Sequence, residues 1–210
     1  MIRLNDNDLA AIRGIFETLK TGEFPLDAEF DRFYPSLSTE LSAQHFSSFY
    51  ACKQALDFFG SDESVRVLDI GSGIGKFCFL GALLSKCHFT GIELRESLYN
   101  WAEKVRSASH MNQIQFILGD FKNLHFESFN CFYLFNPFME YKDVKRKIDA
   151  SILTGKEAYI QLLHTLFNKL DMLPKGIKLV TYHVRLEQIP SDFQLVESKL
   201  GNSLRCFVKN

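Results

Sequence analysis

Apolar residues recur along this chain in two different rhythms. Near the start, Leu9, Ile12, Phe16 and Leu19 fall at i, i+3, i+7 and i+10, and Gly22 follows as a stop. That spacing lines one face of a helix over 6–20. The next stretch, TGEFPLDAEFDRFYPSLS, holds two prolines and four aromatics. Its punctuation predicts a loop, and its aromatics predict a sticky one. A second helix is expected after Ser38 as N-cap, running to about residue 59, with Phe49, Cys52, Leu56 and Phe59 as its apolar stripe.

From Val65 the rhythm changes. Short apolar runs at 65–70, 89–93, 113–118, 131–135 and 178–183 read as strands, and amphipathic stretches at 74–85, 97–107 and 159–170 read as helices. This alternation predicts an α/β fold with a doubly wound, mostly parallel sheet. The runs 193–199 and 204–209 flank LGNS, a hairpin turn signal, so the sheet should close with an antiparallel pair. The expected organisation is an N-terminal helical arm with its aromatic loop over 1–60, then an α/β domain over 61–210.

Composition narrows the picture in three ways. Phenylalanine is abundant, 21 of 210 residues, which fills a large core and leaves rings for a pocket. The formal net charge of −1 supplies no bulk attraction for nucleic acid or an anionic membrane. Five cysteines, an odd number with no C-x-x-C spacing, read as thiols in a reducing, cytoplasmic setting. The opening MIRLNDND has no apolar signal-peptide core, no apolar run is long enough to span a bilayer, and no metal site is expected.

The candidate chemistry sits at the ends of successive strands, where open α/β sheets bind ligands. The first strand runs into LDIGSGIG: Asp69, then Gly71, Ser72, Gly73 and Gly75. The dinucleotide fingerprint is G-x-G-x-x-G, so the third glycine here comes one place early. The second strand ends GIEL, and Glu93 lies 22 residues past Gly71, where an acid can accept from ribose hydroxyls. The third ends LGDF, where Asp120 can accept from an adenine amino group and Phe121 can cover the ring. Singly, these residues also read as a packing turn, a solvated charge and a helix N-cap. The ordered series favours a nucleoside-bearing cofactor.

These motifs resemble class I S-adenosylmethionine-dependent methyltransferases: LDIGSGIG the family's glycine motif, GIEL its ribose-binding acid, LGDF its adenine motif. The resemblance covers roughly residues 60–210. It implies a seven-stranded sheet with the last strand antiparallel and S-adenosyl-L-methionine as cofactor. Gly71 and Gly73 would lie against its methionyl part, Glu93 with Leu94 at the ribose, and Asp120 with Phe121 at the adenine. YPSLSTELS together with these motifs is also similar to the seven-strand, non-SET protein-lysine methyltransferases, and Thr39 or Glu40 would match their loop over the cofactor.

The fourth strand ends LFNPF. Asn136, Pro137 and Phe138 resemble the Asn-Pro-Pro-aromatic motif of amino-group methyltransferases, with Phe138 in place of the second proline. Such a set can aim a neutral amine at a methyl carbon and stabilise the charge that grows on nitrogen. A plain turn is the competing reading. Lys142, Lys145, Arg146 and Lys147 read first as a solvated face, and His183 is the best placed of the histidines as a base. The expected activity is methyl transfer to nitrogen, with a protein or small-molecule acceptor favoured over nucleic acid. The rivals are a nicotinamide oxidoreductase and a non-catalytic binding domain.

Overall fold

The computed structural model describes residues 4–34, 42, 44–142, 148, 152 and 155–210. Helix α1 (Asp6–Lys20) is held at its start by a reciprocal pair: the Asn5 side chain accepts from the Asp8 N–H, and the Asp8 carboxylate accepts from the Asn5 N–H, both at 2.9 Å. Its expected stripe, Leu9, Ile12, Phe16 and Leu19, is buried. The aromatic stretch is not a simple loop. It folds into a short helix α2 (Asp27–Asp31) that drives Phe30 fully into the core. Helix α3 (Phe49–Phe59) starts later than expected, because Ser48 accepts from the Ala51 N–H and caps it there. Residues 35–41 and 43, where its start was expected, lie outside the described residues.

The sheet has seven strands: β1 (Arg66–Ile70), β2 (His88–Glu93), β3 (Ile114–Leu118), β4 (Cys131–Phe135), β5 (Lys178–Tyr182), β6 (Phe193–Lys199) and β7 (Leu204–Lys209). Their order is β3-β2-β1-β4-β5-β7-β6. Strands β1 to β5 are parallel, and β7 runs antiparallel between β5 and β6. The hairpin turn holds Leu200, Gly201 and Asn202 all at positive φ, which Gly and Asn tolerate. Helices α4 (Lys76–Leu84), α5 (Glu96–Ala108) and α7 (Lys156–Asp171) provide the crossovers, and α6 (Met139–Lys142) is a single turn after β4.

The central strands are apolar on both faces, as a doubly covered sheet requires. Val67 points into one core, while Leu68 and Ile70 point into the other with Leu166 and Leu170 of α7. The phenylalanines concentrate in the first core. Phe30 meets Phe16, Phe49, Phe79 and Trp101 at centroid distances of 5.5–6.4 Å. The arm is therefore core material. Phe30 and Tyr34 are buried away from the cavity described below, while Gln44, His45 and Phe46, later in the same arm, line it. Lys76, in the first turn of α4, is only 3% exposed and pairs with Asp27 at 2.6 Å and Asp31 at 2.9 Å, tying α2 to the glycine turn.

Candidate active site

The turn after β1 places Gly71, Gly73 and Gly75 at φ of 75°, 57° and 77°, a region that strains any residue with a Cβ. Two of these glycines have different reasons. A Cβ on Gly75 would sit 2.4 Å from the Phe116 ring, so this residue is small for packing. A Cβ on Gly71 would meet nothing within 4 Å, and Gly71 lines a cavity of about 340 Å³. The backbone is thus bare where the cavity opens.

Glu93 braces this turn. It is 7% exposed, and its Oε2 accepts from the Gly73 N–H at 2.9 Å while Oε1 accepts from the Arg95 N–H at 2.8 Å. Burial pushes its pKa up, and those two N–H donors pull it back. The next side chain but one, Arg95, is itself buried and forks onto both oxygens of Glu140 in α6, with Nη1–Oε1 at 2.6 Å. Glu140 follows the NPF segment, so one hydrogen-bonded path runs from the glycine turn to that motif. Sequence reading missed this pair: the two residues are 45 positions apart and neither stands in a motif.

Asp120 lines the cavity and also caps a short 3-10 turn (Phe121–Asn123), accepting from the Lys122 N–H at 3.0 Å. Both sequence readings of Asp120 are compatible with that geometry. Phe121 is buried and stacks with Phe138 at 5.3 Å. Leu94 lines the same cavity and is 45% exposed, an open apolar surface. Asn136, Pro137 and Phe138 form part of the same wall. Asn136 lies at φ 40° and Phe138 at φ 64°, and the Asn136 N–H donates to the Tyr182 carbonyl at 2.8 Å. Two non-glycine residues in left-handed backbone this close together store strain, which tends to gather at functional sites.

Three sequence candidates stand behind the wall and not on it: Asp69, Ser72 and Gly75 are absent from the cavity lining. Ser72 keeps a buried Oγ with no hydrogen-bond partner among the described residues. Asp69 lies under the turn, and among the described residues its carboxylate accepts only from the Cys78 thiol, at 3.7 Å. Thr39 and Glu40 lie outside the described residues. Burial raises Asp69 from 3.8 to about 7, with the Cys78 hydrogen bond opposing and Glu93 adding to the rise. The folded value exceeds the unfolded one, so the folded chain keeps a proton that the unfolded chain sheds. That stabilisation is complete below the unfolded value and is lost as pH rises through about 7. Urea unfolding across this range should show stability falling with pH, and Asp69→Asn should flatten the slope. A slope that persists in the variant would assign it elsewhere.

A family model described as a methyltransferase domain matches residues 61–204. The chain belongs to this methyltransferase family. Its methyl donor is S-adenosyl-L-methionine, and the observed strand order, with β7 reversed, agrees with the family and not with a nicotinamide enzyme. The structure of TrmN from Thermus thermophilus is similar, with TM-score 0.57 and 20% identity, covering 85% of this chain and 52% of that one. An RNA methyltransferase from Salinibacter ruber, in complex with S-adenosyl-L-homocysteine, gives TM-score 0.52 and 16% identity over 78% of this chain and 92% of its own. An S-adenosylmethionine-dependent methyltransferase from Aquifex aeolicus gives 0.51 and 12% over 81% and 96%. At such identities the likeness is one of fold, and the chain spans about half of the Thermus protein. No curated protein sequence matches it significantly. The methyltransferase's own cavity suits the cofactor: bare backbone at Gly71, a buried carboxylate at Glu93 and open apolar surface at Leu94. No helix among the described residues is long and apolar enough to cross a membrane.

Proposed function

We propose that this methyltransferase transfers its methyl group to nitrogen, in a protein lysine or a small-molecule amine. The carrying observation is the Asn136-Pro137-Phe138 wall, with Asn136 and Phe138 both in left-handed backbone beside the cavity. When bound, S-adenosyl-L-methionine supplies an electrophilic methyl group on a sulfonium. Gly71 and Gly73 would lie against its methionyl part, Glu93 with Leu94 at its ribose, and Asp120 with Phe121 at its adenine. Asp69, Ser72 and Gly75 support that turn from behind, and Thr39 or Glu40 would lie over the cofactor.

The protein's part is to aim a neutral amine. The Asn136 side-chain carbonyl and a neighbouring backbone carbonyl accept two N–H bonds, which leaves the nitrogen lone pair free and oriented. The Phe138 face favours the positive charge that develops on that nitrogen. A net charge of −1 supports a protein or small-molecule acceptor over nucleic acid. The Salinibacter neighbour is an RNA methyltransferase, so RNA is the alternative to be tested. Purified protein should be incubated with methyl-labelled cofactor and fractionated cell extract. Label should enter the protein or small-amine fraction in a base-stable linkage. Label in RNA, or in a base-labile ester, would overturn this reading.

A further inference from the structure

Arg95 and Glu140 both line the cofactor cavity, yet their charges are turned on each other. The two outer guanidinium nitrogens are spent on the two Glu140 oxygens, with Nη1–Oε1 at 2.6 Å. Their side chains are 4% and 11% exposed. An ion pair buried this deeply adds little stability over a well-packed apolar pair of similar volume. What the fork does add is direction, because two parallel hydrogen bonds fix where Glu140 stands.

Each end of the pair belongs to a different part of the site. Arg95 is the N-cap of α5, whose Leu98, Trp101, Ala102 and Val105 are buried in the first core. Its own N–H donates to Glu93 Oε1 at 2.8 Å. That end is anchored. Glu140 stands two residues after Phe138, in α6, which is only four residues long. A helix that short has no stability of its own. Just before it, Asn136 and Phe138 lie in left-handed backbone at φ 40° and 64°. Strained conformations persist only where the surroundings over-determine them. Upstream, the Asn136 N–H donates to the Tyr182 carbonyl at 2.8 Å. Within the turn, the Tyr141 N–H donates to the Phe138 carbonyl at 2.9 Å. Downstream, the fork from Arg95 ties the segment to the ribose side of the site.

We propose that Arg95 is a positioning residue for methyl transfer: acting through Glu140, it holds the Asn136-Pro137-Phe138 wall at a fixed spacing from the ribose carboxylate Glu93. The inference rests on the reading of that wall given above and adds what sets its distance from the cofactor. In-line displacement tolerates little error there, since a misplacement of about 1 Å can cost on the order of 100-fold in rate.

Replacing one partner alone strands a buried charge and endangers the fold. The decisive protein is the double variant, Arg95→Met with Glu140→Leu. Two apolar side chains then fill the place of the pair, stability stays near wild type, and the Arg95 backbone N–H still serves Glu93. Calorimetry with S-adenosyl-L-homocysteine should give an affinity within about threefold of wild type. Hydrogen exchange followed by NMR should show the Asn136 and Tyr141 amides exchanging about tenfold faster, while Leu68 and Val180 in the sheet keep wild-type rates. With methyl-labelled S-adenosyl-L-methionine and the extract fraction that the wild-type protein labels, transfer at saturating cofactor should fall about 10–100-fold, with KM for the cofactor unchanged. A pair that served only stability would move neither the two amides nor the saturated rate in a folded double variant. A wild-type rate, or wild-type exchange at both amides, would overturn the proposal. So would a loss of S-adenosyl-L-homocysteine affinity as large as the loss of rate, which would make the pair a cofactor contact. The exchange measurement needs no acceptor and decides on its own where no fraction takes label. Asn136→Gly separates the two levels. If it is slow while the double variant matches wild type, only this inference fails. If Asn136→Gly itself turns over like wild type, the reading of the wall fails beneath it.

Discussion

Glu93→Ala is expected to lower affinity for S-adenosyl-L-homocysteine by at least about 100-fold, measured by calorimetry. Two losses combine. The cofactor loses a charge-assisted acceptor, on the order of 1.5–3 kcal/mol. The turn loses the brace that satisfies the buried Gly73 and Arg95 N–H groups, at about 1–3 kcal/mol for each group left unpaired. Part of that second cost appears as stability, so thermal melts must accompany the calorimetry. Glu93→Gln should fall between wild type and alanine, because its carbonyl still serves one of the two N–H groups. Wild-type affinity in a folded Glu93→Ala protein would remove the ribose assignment. Tight binding of NAD would remove the cofactor reading altogether.

Asn136→Ala should cut methyl transfer on the order of 10²–10³-fold, the usual loss when one preorganised polar group is deleted from a reacting centre. Cofactor affinity should change little, since Glu93, Asp120 and Phe121 stand on other strand ends. The backbone complicates the alanine variant, because alanine tolerates φ 40° less well than asparagine. Asn136→Gly resolves this: it relieves the backbone and still deletes the side-chain acceptor. If the glycine variant turns over like wild type on the identified acceptor, asparagine is there only for its conformation. If it is as slow as the alanine variant, the side chain aims the amine. Phe138→Ala should also slow transfer, by removing a ring that both lines the cavity and stacks on Phe121.

Much of this was legible along the chain, and for local reasons. The stripe Leu9, Ile12, Phe16 and Leu19 appears in the sequence because helical period is a property of neighbouring residues. The seven strands and the LGNS hairpin follow likewise from period, turn chemistry and positive φ. The glycine turn, Glu93, Asp120 and the NPF segment could be placed in advance because strand ends in a parallel sheet gather at one edge. What the tertiary structure alone decided are contacts between residues far apart in sequence. The aromatic arm became core because Phe30 found Phe79 and Trp101. Gly75 proved to be a packing glycine because of the Phe116 ring, and Asp69 a buried acid facing Cys78. The Glu93 brace on Gly73 and the Arg95 fork on Glu140 left no periodic trace. Their partners come together only when the sheet order is set, and no spacing along the chain encodes that proximity.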